Sequence, residues 1–180
     1  MPHRIVEISA SGGDYTSFAA ALAGESDFQA GDDNIIFRRT DNVRETGAVT
    51  VSGYSTTSAH WVILECTSGV QHDGTRESGA GISGDFGWWS AAITVSIPYV
   101  KIQRLELSNT HSSGRGVNAQ TSSYVTVDSC LIYDCQLRGI DFDADYRCRI
   151  SANNVIYNCG IGVYGGGDYS TSTYIYNNTI

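Results

Sequence analysis

YVKIQRLEL at residues 99–107 and YVTVDSCLI at residues 124–132 are one pattern written twice, 25 residues apart: Val100 falls on Val125, Ile102 on Val127, Leu105 on Cys130 and Leu107 on Ile132. A third copy, CRISANNVI at residues 148–156, fits at a shift of 23 or 24. A fourth opens at residues 174–180, YIYNNTI, where Asn153 and Asn154 return as Asn177 and Asn178, and Ile156 as Ile180. The second half of each unit repeats too, since Gly116-Val117, Gly139-Ile140 and Gly162-Val163 are spaced by 23 and 23. Self-similarity at this period marks a stacked solenoid.

Within a unit the apolar residues alternate over short runs: Val125 and Val127, then Cys130 and Ile132, then Ile140, Phe142 and Ala144. A period of two belongs to strands, whose successive side chains leave opposite faces. Three short strands in one unit are too few to fold alone. They suit an all-β parallel β-helix, in which each coil lays its strands on those of the coil below. Crossovers between parallel strands are overwhelmingly right-handed, so a right-handed coil is expected. The glycine ahead of the third strand fits a bend where a side chain would crowd the neighbouring coil.

A chain of 180 residues is about one domain and is long enough to bury a core. Charged residues make up 17%, glycine is abundant at 20 and there are 2 prolines, which suits a glycine-turned, extensively hydrogen-bonded β protein. The net charge of -8 argues against wrapping nucleic acid or an anionic membrane, and an acidic polysaccharide would need local basic or metal-bridged contacts. No apolar run approaches the ~18 residues of a membrane span. The start reads as a strand, Ile5 to Ile8, and shows no apolar stretch of the length a secretory leader requires. Of the five cysteines, Cys130, Cys135, Cys148 and Cys159 sit in the repeat at or near interior positions, where thiols serve as small hydrophobes. Cys135 and Cys159 lie 24 apart, one coil, so stacked strands would bring them within disulfide reach.

Residues 11–22 read as a turn and a short helix. Asp14 is the expected N-cap, and Tyr15, Phe18 and Leu22 form one apolar stripe. A solenoid's first coil otherwise leaves strand edges and core open to water, so this helix is the expected plug.

GGDYTSFAAAL at residues 12–22 resembles the start of pectin-lyase-like right-handed β-helix proteins, where such a segment precedes a capping helix. The ANNVI and YNNTI stretches around Asn154 and Asn178 resemble their coils. The resemblance implies the fold over essentially the whole chain: an N-terminal strand and capping helix at residues 1–33, then coils over residues 34–180. It is poor for function, since the superfamily includes polysaccharide lyases, esterases, glycosidases, phage tailspikes and other virion proteins, and adhesins.

Between cap and repeats, residues 34–37, 48–51 and 61–64 read as strands of the first coils, with turns at 41–47 and 53–60. Residues 67–89 form a Gly-rich excursion, read as a structural loop too polar to be core, with Trp88 and Trp89 closing its base over the core or facing a sugar.

Three constellations bear chemistry. If Ile140, Phe142 and Ala144 point inward, Asp141, Asp143 and Asp145 line the outer face of one strand. That row is either solvated surface, a Ca²⁺ site, or the acid and base of a glycosidase, which needs two carboxyls facing a scissile bond. Arg115 and Arg138 each precede the repeated glycine, 23 apart, and are expected to stack on neighbouring coils. The resemblance implies an Arg or Lys base beside Ca²⁺-binding carboxylates in its lyases, which makes Arg138 with Asp141 and Asp143 the catalytic candidates. The lyases' acidic metal motifs and signature peptides have no clear copy in this chain. Surface arginines shielding one another through water and the Asp row are the plainer reading. Finally, Tyr133 and Tyr157, 24 apart, are read as an outward stack, and with Tyr164 and Arg115 they form the candidate glycan platform. Asn154 and Asn178 read as an interior amide ladder.

From Asn34 onward there is room for roughly six coils. No capping segment follows Ile180, so a longer protein or a covering partner is expected. Two function classes follow. The first is a non-enzymatic β-helix module of a virion or cell surface, attaching through glycan or neighbouring subunits, with a homotrimer expected from its phage relatives and no required cofactor. The second is a polysaccharide lyase or glycosidase fragment using Asp141, Asp143 and Arg138.

Overall fold

The computed structural model describes residues 3–28, 33–87, 90–119, 122–142, 149–165 and 173–180. The chain opens with β1 (Arg4–Ile8) and α1 (Phe18–Gly24), then winds through coils of three strands. The first coil is β2 (Asn34–Arg39), β3 (Arg44–Glu45) and β4 (Val49–Val51), and the second β5 (Trp61–Cys66), β6 (Gly81–Gly84) and β7 (Ala91–Val95). The third coil is β8 (Val100–Gln103), β9 (Glu106–Asn109) and β10 (Arg115–Asn118), and the fourth β11 (Val125–Asp128), β12 (Leu131–Tyr133) and β13 (Arg138–Asp141). The fifth comprises β14 (Arg149–Ala152), β15 (Val155–Tyr157) and β16 (Ile161–Tyr164), and β17 (Thr173–Tyr176) begins another.

Stacked coils make three parallel sheets: β1-β2-β5-β8-β11-β14-β17, then β3-β6-β9-β12-β15, then β4-β7-β10-β13-β16. The architecture is therefore the expected all-β solenoid, with five complete coils where roughly six were expected. Register follows the repeat, with Val100 on Val125, Ile102 on Val127 and Leu107 on Ile132. Each sheet sends apolar rows inward. Val62, Val100 and Val125 stack on the first, Ile82, Leu107, Ile132 and Ile156 on the second, and Ile93, Val117 and Ile140 on the third, all essentially without solvent contact. Each such side chain contributes about 1.5–3 kcal/mol by leaving water.

The ambiguous third copy resolves to a shift of 24, because Val127 pairs with Ser151. Ser151 therefore faces the interior and Ile150 takes an outward position. The interior hydroxyl is satisfied: Asn154 Nδ2 donates to Ser151 Oγ at 3.1 Å, and Ser151 Oγ donates to Asn178 Oδ1 at 3.3 Å. The amide ladder continues from there. Asn154 Nδ2 donates to Asn178 Oδ1 at 2.9 Å and to the Val127 carbonyl at 3.0 Å, while Asn154 Oδ1 accepts from Cys130 N at 2.9 Å. The turn ahead of it is made each time by one left-handed residue, Arg104, Ser129, Asn153 and Asn177 at φ 62, 55, 54 and 52. Asparagine tolerates that region, which explains the recurring Asn-Asn pair.

Gly116 lies inside β10, not ahead of it. A Cβ there would sit 2.6 Å from the Gly139 carbonyl of the next coil and 2.7 Å from Ile132 Cγ2. Three further expectations are corrected. The helix N-cap is Ser17, whose side chain accepts from Ala20 N, whereas Asp14 Oδ2 accepts from Glu7 N at 2.9 Å. Proximity decides: Asp14 precedes the helix by a full turn. The helix buries Phe18 and Ala21 against the first coil, and its Phe18 N–H donates to Glu45 Oε1 at 2.7 Å. The turn at 41–47 contains β3, and the excursion at 67–89 contains β6, with Ala80 and Ile82 fully buried. Short, glycine-rich strands carry too little alternation to be read. Trp88 and Trp89 lie outside the described residues.

Candidate functional site

β10 and β13 are neighbours, with Arg115 in register with Arg138 and Asn118 with Asp141, and β16 places Tyr164 beside Asp141. The topology thus brings together four of the residues singled out in the sequence. Arg115 Nε donates to Asp141 Oδ2 at 2.5 Å, and Arg138 Nη1 donates to both Asp141 oxygens at 2.8 Å. The Arg138 guanidinium lies 3.6 Å from the centre of the Tyr164 ring, a cation–π contact.

Two expectations about this face are overturned. Asp141 is 0% exposed and Arg115 only 2%, so neither belongs to a solvated outer row. The arginines are not water-separated on the surface: the Asp row does shield them from one another, but through direct contact with the buried Asp141 carboxylate. The physical reason is charge pairing: two stacked guanidinium groups one strand spacing apart repel unless an anion sits between them, and Asp141 supplies it. A carboxylate so held has both oxygens on cations, which makes it a poor Ca²⁺ ligand and leaves it out of a substrate's reach. Asp143 and Asp145 lie outside the described residues. Among the described residues no group of three or more His, Cys, Asp or Glu is arranged to hold a metal.

A second cluster, on the sheet of β9, β12 and β15, was legible only in part. Tyr133 and Tyr157 stack as expected, with ring centres 5.4 Å apart and planes 9° from parallel. Tyr133 is nevertheless 2% exposed, not an open platform. Arg44 Nη1 donates to its hydroxyl at 2.8 Å, and Arg76, from the loop between β5 and β6, covers its free face at 4.9 Å. Beneath them Glu106 is fully buried, ion-paired with Arg44, and accepts from Glu77 N at 2.5 Å and Gly79 N at 3.0 Å. Burial opposes its charge, yet the Arg44 guanidinium and the two loop amides hold its pKa below the ordinary carboxylate range. Burial pushes the Tyr133 phenol up, as does Glu106. Arg76 also pairs with Asp134, and His72 Nε2 donates to the Ser129 carbonyl at 2.9 Å, so the loop is strapped to the fourth coil as well as to Glu106 of the third. The sequence reading missed Arg44, Glu106 and Arg76. The one available signal was Glu106 between Leu105 and Leu107, a charge inside an apolar run.

On the first sheet Trp61, Tyr99 and Tyr124 form another aromatic row, Trp61 edge-on to Tyr99 at 5.4 Å and Tyr99 stacked on Tyr124 at 4.5 Å. Nearby, Glu65 is buried between Arg38 and Arg104 at a shallow depression of ≈ 250 Å³ lined also by Thr67 and Ser68. A second depression, ≈ 290 Å³, lies against the cap helix and is lined by small residues such as Ala19, Ala23 and Ala48.

Three parallel faces, an amide ladder and ion pairs running from coil to coil define the class: a parallel β-helix. Residues 43–180 match the family described as "Right handed beta helix region", and the chain belongs to that family. The right-handed β-helix fold expected from the sequence stands. No curated protein matches the chain. Among solved structures it is similar to pectin methylesterase PemA from Erwinia chrysanthemi, at 14% identity and a TM-score of 0.45, over 99% of this chain and 66% of that one. This chain spans just under two-thirds of that protein's length, and the likeness is one of coil architecture alone.

Proposed function

We propose that this chain is a structural and attachment module of a virion or cell surface, and that it contacts glycan through the aromatic side chains of its last coils. The observation that carries this reading is the state of the Arg76–Tyr133–Tyr157 stack. Arg76 and Tyr133 occupy each other's faces, while Tyr157, stacked on Tyr133, is 36% exposed. A sugar stacks on a ring face and not on its edge. Tyr174 and Tyr176, on β17 of the first sheet, are further rings at 53% and 49% exposure. Arg115 and Tyr164, first grouped with this platform, belong instead to the Asp141 cluster on another sheet. Exposed rings of this kind also suit a neighbouring subunit, including a second copy in a trimer.

The test is binding of a panel of neutral and acidic polysaccharides, with depolymerisation of the same polymers followed with and without Ca²⁺. Binding without turnover, weakened about tenfold or more in Tyr157→Ala, is the expected result. Turnover that disappears in Arg138→Lys while the fold persists would replace attachment with the lyase or glycosidase reading.

A further inference from the structure

We propose that Cys135 and Cys159 form a dithiol oxidation site, closing to a disulfide that staples the fourth coil to the fifth. The coil geometry carries the inference. Tyr133 and Tyr157 are in register on β12 and β15, and the two cysteines follow them at the same place, each after a left-handed residue, Asp134 and Asn158, both at φ 52. The Gly160 N–H donates to the Cys135 carbonyl at 3.1 Å, which keeps the two turns paired beyond the strands. Each thiol donates to the carbonyl two residues back, Cys135 to Tyr133 and Cys159 to Tyr157, both at 3.4 Å. Identical backbone and identical thiol direction mean that the side chains are related by one strand spacing of ~4.8 Å, inside the Cα separation that a disulfide spans.

The surroundings leave room for the bond. Gly116 and Gly139 lie beside the two sulfurs, and a Cβ on them would reach 3.2 Å from Cys135 Sγ and 3.5 Å from Cys159 Sγ. The thiols are both free in the reduced chain, Cys135 buried and Cys159 half-buried, so an oxidant meets Cys159 first. The neighbouring Cys159 thiol, together with burial, raises the Cys135 pKa, while the Cys135 thiol lowers that of Cys159. Cys159, the more exposed of the two, is the nucleophile and Cys135 the resolving thiol.

With a small-molecule disulfide as oxidant, the Cys159 thiolate attacks one sulfur, forms a mixed disulfide and expels a thiolate. Cys135 loses its proton to solvent and attacks Cys159 Sγ, expelling the second thiolate. The protein loses two electrons and two protons, and the oxidant becomes two thiols. The bridge encloses one whole coil, and removing that freedom from the unfolded chain raises the melting temperature by roughly 5–10 °C.

The experiment treats the reduced chain with oxidised glutathione, quenches in acid, alkylates in denaturant, and reads intact mass and peptide map. The expected result is loss of about 2 Da with a Cys135–Cys159 linked peptide, and a stable glutathione adduct on Cys159 in Cys135→Ser. Cysteines that all stay alkylatable, or a link that joins Cys66, Cys130 or Cys148 instead, would overturn the proposal. The wild-type map decides this even where a serine variant fails to fold.

Discussion

At the scale of single residues, the interior polar groups are fixed by what lies one coil away. Asn154 is buried at 1% exposure and answers the Cys130 N–H and the Val127 carbonyl at once. Asn154→Ala leaves both without a partner, and a loss of about 2–3 kcal/mol is expected in urea unfolding. Gly116→Ala acts differently, by overlap: its Cβ meets a carbonyl and Ile132, so about 1–3 kcal/mol is lost through displaced packing. Asparagine pairs were readable in the sequence because they recur at the coil period. The need for glycine at 116 was readable as a repeat, while its cause, the Gly139 carbonyl of the next coil, required the stacked coils.

At the scale of elements, ion pairs tie strands of different coils and strap the loop between β5 and β6. Asp141→Asn strands the buried Arg115 charge, and a loss of about 3–5 kcal/mol is expected by denaturant titration. Arg76→Ala removes a pair that is half exposed on the arginine side, and less than about 1 kcal/mol should follow. Glu106→Ala frees the Glu77 and Gly79 amides, so hydrogen exchange there should quicken while the strand amides of β8 and β11 stay protected. None of these partners is near in sequence. Arg44 and Glu106 are brought together only because β3, β6 and β9 stack, which is why the loop read as a polar excursion and not as a strap.

At the scale of the whole molecule, the carboxylates set the response to acid. Burial opposes the charge on Asp41, Glu106 and Asp128, yet hydrogen bonds and arginine or lysine neighbours hold all three pKa values below the ordinary range. A depressed carboxylate contributes stability that is present above the unfolded value of ~4 and lost as pH falls through the folded value. Burial drives Glu45 the other way, so its contribution grows as pH falls. The three outnumber the one, and the melting temperature is expected to fall as pH drops from about 5 to about 3. Glu106→Gln should flatten that acid limb, as read by thermal unfolding across pH.

By itself the sequence determined the coil: the period of 23 to 25, the three strands, the inward apolar rows, the asparagine ladder and the plugging helix. These rest on local alternation and on spacing, which a single chain displays. Only the tertiary structure decided which charges are surface. Alternation places Asp141 off the core but cannot say that Arg115 and Arg138 close over it, nor that Arg76 closes over Tyr133. A side chain's exposure depends on what the next coil and the nearest loop lay across it, and that is a property of the stack.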